Sequence, residues 1–426
     1  DIGYGAFNSW INLISISLPP TIKTMGASCF SSCSNLTSFT IPHLVTTIEP
    51  GSFNGCTSLS SITIPPNVTS MAATFDGRHG GSSTGAFQNC TSLVDIVMQS
   101  YITNFGEVFF RVNNPNMSVT FDYSGNIPNY ANNKFRPHLT NTDELKYIVI
   151  GNQISSISQY ALAGFPNLTS ILIPESVKTI GYSALGSNPN LSNIIIKTYI
   201  PNMQQVFVES NALNMSVTLD YSGNVPYSAF SDKTNLETVI LGNLITSVEN
   251  NAFSGCSSLT SILIPDSVKS IAQYTFSGCS SLTSIIIPGT LTTISEHTFS
   301  GCSNLTSVVI PEFVTTIGNY AFSGCSNLTS IVIPESVTRI GNYAFSGCSS
   351  LTSILIPDSV TTIGTNTFTG CSNLTSFTFP AFFTTIGDST FSGCIGLTDI
   401  TFPASVTRIG DSTFSGCIGL TDITFP

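Results

Sequence analysis

Few residues of this 426-residue chain carry reactive chemistry, and their spacing decides what each can do. Twelve cysteines are present, and from Cys256 to Cys417 they recur every 23 residues. Zinc sites need close Cys or His pairs, and that interval supplies none. Cysteines stacked with parallel Cβ vectors also make poor disulfide geometry. The expectation is a column of buried thiols. Cys29 and Cys33, four residues apart, leave a local bridge open. Free thiols are uncommon in secreted proteins, and burial is what would protect these. The four histidines, His43, His79, His138 and His297, lie far apart in the sequence. No Gly-x-Ser-x-Gly, His-Glu-x-x-His or phosphate-binding loop is present. Acidic residues follow a proline at Glu175, Asp266, Glu312, Glu335 and Asp358. One carboxylate per repeat attracts Ca²⁺ only with companion oxygen ligands, and none stands nearby in sequence. Solvated turns are expected there. The chain is therefore read as a non-enzyme, without cofactor or metal.

Ten Asn-x-Ser/Thr sequons occur, several of them inside the repeated phrase Ser-Asn-Leu-Thr. Asn116 and Asn214 lie outside that phrase and are the candidate glycosylation sites, given a secretory route.

What positions all of these residues is a repeat. Phe230 is followed by Phe253, Phe276, Phe299, Phe322, Phe345, Phe368, Phe391 and Phe414, each 23 residues on, and the same interval links Phe7, Phe30 and Phe53. A strict period of this length signals a solenoid, whose units cannot bury their apolar faces alone. In one unit, Leu259, Ile262 and Ile264 follow a Leu-x-x-Ile-x-Ile pattern, the alternation of a strand with one buried face. Pro265 ends the strand because it has no N–H to donate. Val268 and Ile271 turn inward on the return path, Phe276 fills the coil and Cys279 closes it. Gly278 is placed in a turn that needs a permissive backbone. Tyr274–Gly278 has room for one helical turn but not for a full helix.

Holding this register through the degenerate middle places about 18 rungs over residues 1–426, read as one continuous array. The irregular rungs fall within 66–145 and 198–235. The steps Leu59 to Leu93, Asn116 to Leu145 and Asn214 to Leu236 are 34, 29 and 22 residues, and at two of these rungs Asn stands where Leu is expected. A longer duplication is superimposed: Met117–Pro128 recurs 98 residues later as Met215–Pro226. The chain opens inside a repeat and closes at a strand end, without polar caps, so a fragment of a longer array is expected.

The ordered recurrence of Phe, Gly-Cys, Leu, Ile-Pro and Val-x-x-Ile in AFSGCSSLTSILIPDSVTTIG resembles the BspA-like leucine-rich repeats of surface proteins. The resemblance covers most of the chain. It implies a leucine-rich-repeat-type right-handed coil, with one long parallel β-sheet and short helical turns or irregular segments on the other face. It also implies a cell-surface or secreted location and adhesion to host, extracellular-matrix or microbial surface proteins.

Function is sought in what varies between rungs. The outward residue between the two strand isoleucines reads Ile240, Leu263, Ile286, Val309, Val332 and Leu355, then Thr378, Thr401 and Thr424; near the N-terminus it reads Ser17, Thr40 and Thr63. Six apolar rungs would form an exposed stripe ~24 Å long at ~4.8 Å per rung. Such a stripe marks a partner-binding face, unless the β-propensity of branched residues alone explains it. A second candidate is the Gly/Ser-rich insertion after Val68, with Arg78 and His79, which equally fits a tolerated insertion. A structural, self-associating scaffold is the alternative to a binding module. Net charge is −11 and charged residues make up only 8% of the chain. That argues against nucleic acid, which needs a basic face. No apolar run reaches the ~18 residues of a membrane span, so a membrane is expected only through an anchor outside this segment.

Overall fold

The computed structural model describes residues 1–71, 85–102, 112, 114, 116–128, 145–421 and 423. Two compact units are present, the first formed by Asp1–Ile200 with Gln205–Leu213, the second by Pro201–Gln204 with Asn214–Pro426. Each is a parallel β-solenoid.

In the first unit the strands Ser61–Ile64, Asp95–Met98, Met117–Phe121, Leu145–Ile150, Ser170–Ile173 and Asn193–Ile196 run parallel. Equivalent repeat positions pair: Ile171 lies beside Ile194 and Leu172 beside Ile195. In the second unit Met215–Leu219, Leu236–Leu241 and Ser261–Leu263 are joined in the same way, as are Ser307–Val309 and Ser330–Val332. The strands Ser61–Ile64 and Ser170–Ile173 stop at a proline, which removes the next ladder donor.

The return path differs from the expected irregular or helical face. Its Val-x-x-Ile segments form a second, narrower parallel ladder, with Ile294 beside Ile317, Ile317 beside Ile340 and Ile340 beside Ile363. Stacking sets one rise for every part of the rung. A return segment thus meets its copy at hydrogen-bonding distance, and its buried backbone groups pair there. One expected helical turn is present, Met203–Val206 ahead of Phe207, whereas in the regular rungs from Phe253 onward the turn carrying the phenylalanine is not helical. The N–H groups of Tyr274, Phe276 and Gly278 donate to the carbonyls of Glu296, Thr298 and Ser300 on the next rung, at 2.7–3.1 Å. Between them, Ser277 and Cys279 close local turns onto Tyr274 and Phe276. Left-handed backbone at Tyr274 (φ 59°) and Gly278 (φ 75°) aims alternate N–H groups along the solenoid, which a helix cannot do. The position of Gly278 is glycine in every following rung up to Gly416.

The two degenerate rungs keep their core by a bulge. Met117 and Met215 pair with Leu145 and Leu236, and the register shifts immediately afterwards. Both methionines are buried, so they fill the leucine slot, while Asn116 and Asn214 are exposed. The duplicated segments also fold alike: the hydroxyls of buried Tyr123 and Tyr221 donate to the carbonyls of Asn126 and Asn224, each at 3.2 Å.

The phenylalanine column forms the centre of each unit. From Phe230 to Phe414 successive rings stack 5.3–5.7 Å apart, within the range of favourable aromatic pairs. In the first unit Phe7, Phe30, Phe53 and Phe87 stack in turn at 5.0–5.8 Å.

Candidate functional site

Thiols recur through both units. All twelve are free, Cys29 and Cys33 included, and all but Cys417 are buried. Each repeat cysteine donates its S–H to the carbonyl of the phenylalanine one rung earlier: Cys302 to Phe276 at 3.1 Å, Cys325 to Phe299 at 3.2 Å. Asn188 shows what the slot requires. It replaces the cysteine, and its amide donates to Leu162 O at 2.8 Å and Leu185 O at 3.0 Å while accepting from Phe165 N at 2.7 Å. Burial pushes the thiols up, to about 12 for Cys256, Cys302 and Cys394. Cys279, Cys325, Cys348 and Cys371 are held well above the ordinary range for the same reason. A thiol that stays protonated in an apolar column is a poor nucleophile and metal ligand. Among the described residues no three of His, Cys, Asp or Glu converge as a metal site would require.

His297 is stacked between Tyr274 and Tyr320, with ring centroids 4.4 Å away on each side, and Tyr343 continues the row. Desolvation lowers its pKa, and Glu296, with a carboxylate oxygen 3.9 Å from Nε2, pulls the other way. The inner ring faces are used against each other, so His297 and Tyr320 offer no open face.

The outward row lies within the second unit. Ile240 pairs with Leu263, Val309 with Val332, and Leu355 bridges to Thr378. Pairing of Ile285 with Val308 aligns Ile286 and Val309. Exposure rises from 38% at Ile240 and 58% at Leu263 to 78% at Ile286, 73% at Val309, 67% at Val332 and 76% at Leu355. The row ends at Thr378 and Thr401, which pair with each other. Thr424 and the loop residues Arg78 and His79 lie outside the described residues.

Two features escape a reading of the row alone. The first unit carries a shorter row of its own, with Val149 and Leu172 exposed on the outer face and Ile195 half-buried beside Leu172. More telling is Phe313, two residues after Pro311 and 68% exposed. Its repeat position is normally a hydroxyl residue that ties adjacent rungs. Ser267, Ser336 and Ser359 donate there to Ile245, Val314 and Val337 carbonyls at 2.7–2.8 Å. Phenylalanine gives up that bond and puts an aromatic ring into water. The signal in the sequence is Pro-Glu-Phe-Val where the rungs at Pro265, Pro334 and Pro357 read Pro-Asp-Ser-Val or Pro-Glu-Ser-Val; Phe382, three rungs on, is a second exposed phenylalanine at the same position. Phe313, Ile286, Val309, Pro311, Glu312 and Gly289 line a hollow of about 460 Å³ beside the row. Clefts of that order hold small ligands or single large side chains.

The acidic residues after the strand prolines, Asp266, Glu312, Glu335 and Asp358, are all exposed, and none forms an ion pair among the described residues. Several sequon asparagines are engaged in inter-rung bonds: Asn327 Nδ2 donates to Asn304 Oδ1 at 3.1 Å, Asn190 to Pro166 O and Asn67 to Val45 O.

Coiled rungs, a leucine-isoleucine strand and stacked phenylalanines define the class: a leucine-rich-repeat solenoid. More narrowly, the chain belongs to the BspA type leucine rich repeat family, whose six-copy profile matches residues 1–76, 83–141, 133–222, 223–352 and 315–426. Among solved structures it is similar to a leucine-rich repeat protein from Bacteroides ovatus ATCC 8483. Identity is 24% and the TM-score 0.52, over 88% of this chain and 81% of that one. It is also similar to a leucine rich cell surface protein from Faecalibacterium prausnitzii A2-165, at 25% identity and a TM-score of 0.38, over 80% and 86% of the two chains. No curated protein sequence matches it.

Proposed function

We propose that this chain is a protein-binding module, displayed at a cell surface or secreted, whose contact face is the outward row Ile240–Leu263–Ile286–Val309–Val332–Leu355. One observation carries the reading: four consecutive rungs, Ile286 to Leu355, hold large apolar side chains at two-thirds exposure or more, and the position then switches to threonine. β-Propensity acts on every rung alike, so it does not account for the switch. Contiguous exposed apolar area is characteristic of interaction sites. Membership of a surface-protein repeat family supports display and adhesion to host, matrix or microbial proteins.

The test compares the native protein with the double variant Ile286→Asp, Val332→Asp as immobilised bait against extracted surface and matrix proteins. Both sites point into solvent, so the variant should retain the native circular-dichroism spectrum and melting temperature. Proteins held by the native chain and lost by the variant support the reading. Retention of every partner by the variant overturns it. Light scattering over a concentration series identifies self-association, the outcome in which the same row joins two copies.

A further inference from the structure

We propose that the row receives a cationic polypeptide segment, which seats one large apolar side chain in the hollow beside Phe313 and pairs Lys or Arg with the carboxylates along the row's edge. This deepens the protein-binding reading and rests on it.

The hollow exists because two neighbouring rungs depart from the repeat together. Most rungs near it carry an acidic residue after the strand proline, as at Asp266, Glu312, Glu335 and Asp358; the rung between Asp266 and Glu312 has Gly289 instead. The missing side chain opens the floor. On the next rung Phe313 replaces the rung-tying serine and raises a wall. Neither change helps the solenoid, since Gly289 sits where a side chain would touch no other part of it and Phe313 gives up a hydrogen bond. Both open or line a single apolar recess that adjoins the most exposed part of the row, Ile286 and Val309. Buried aromatic and aliphatic anchors in recesses of this kind dominate protein interfaces.

The charge of the occupant follows from the edge. Each carboxylate stands three residues beyond a row residue: Asp266 after Leu263, Glu312 after Val309, Glu335 after Val332, Asp358 after Leu355. Lys269, the nearest cation in sequence to Asp266, directs its Nζ to that residue's backbone carbonyl at 3.3 Å. The strands Leu236–Leu241, Ser261–Leu263, Ser307–Val309 and Ser330–Val332 contain no Lys or Arg. A second copy of this chain would bring the same acidic row and a net charge of −11 against it. Like charges set face to face disfavour that pairing, whereas a cationic partner gains both on-rate and selectivity.

The test uses a random linear-peptide phage library panned on the native protein, with Ile286→Asp, Val332→Asp as counter-selection. Recovered peptides are synthesised with a fluorescent label and titrated by anisotropy. Gly289→Leu fills the hollow and should fold, because a Cβ built there meets nothing within 4 Å. Glu312→Gln with Glu335→Gln removes charge from exposed sites only. The expected result is peptides combining a large apolar residue with Lys or Arg. Their affinity should fall about tenfold or more in Gly289→Leu. In the double Gln variant it should fall several-fold, with a flatter salt dependence. Row-dependent peptides that are neutral or acidic, or indifferent to both variants, overturn the assignment of the occupant and leave the binding face intact. Failure to recover any row-dependent peptide overturns the assignment together with the reading beneath it.

Discussion

The thiol column makes the second unit sensitive to alkali in a way that can be counted. Cys256, Cys279, Cys302, Cys325, Cys348, Cys371 and Cys394 are buried, and burial raises Cys256, Cys302 and Cys394 from an ordinary value of 9.0 to about 12 and holds the other four well above 9.0. In the unfolded chain a thiol loses its proton near pH 9; in the folded chain it keeps it. The folded state therefore binds more protons over that window, and stability falls as pH rises. The contribution is complete below about pH 9 and drains away above it, by about 1.4 kcal/mol per thiol per pH unit. Seven thiols together give a slope of about 10 kcal/mol per pH unit, comparable with the whole stability of a typical domain at ~5–15 kcal/mol. Under reducing conditions the urea midpoint should hold steady from about pH 7 to 8 and then collapse within one to two units above pH 9. The triple variant Cys302→Ala, Cys325→Ala, Cys348→Ala should start less stable and show a slope shallower by about 4 kcal/mol per pH unit. The slope, not the starting stability, is the quantity to read. A urea midpoint that does not move between about pH 8 and pH 10 would refute the reasoning. So would thiolate absorbance of the folded protein rising with an ordinary midpoint.

Other expectations follow from particular contacts. Phe322→Ala removes a fully buried ring stacked at 5.3 Å on Phe299 and 5.5 Å on Phe345. It should cost about 3–5 kcal/mol in chemical denaturation, with Phe322→Leu costing less than half of that. Asn188→Leu leaves Leu162 O, Leu185 O and Phe165 N without the partners they have now. A loss of at least about 2 kcal/mol is expected, and Asn188→Cys, which restores one donor, should recover part of it. The His297 imidazole should titrate below its ordinary value in a proton-detected NMR series, since desolvation between two tyrosine rings outweighs Glu296. A raised midpoint would mean that the carboxylate dominates.

Local pattern determined a good deal by itself. The 23-residue interval required stacked rungs, the alternation around Ile262 and Ile264 required a strand with one buried face, and the even cysteine spacing pointed to thiols rather than zinc. These follow from sequence because in a solenoid each residue's neighbours are its own copies one period away, so the contact map is nearly a sequence property. Three things waited for the tertiary structure. Ile294 and its copies form a second ladder because rung rise is a collective quantity that no single repeat encodes. Met117 and Met215, not the asparagines before them, fill the leucine slot, because a bulge shifts register by one residue and the strand's two-residue period then exchanges its faces. The hollow at Phe313 needs two rungs at once: Gly289 and Phe313 are 24 residues apart and look like ordinary variation until stacking sets them around one recess.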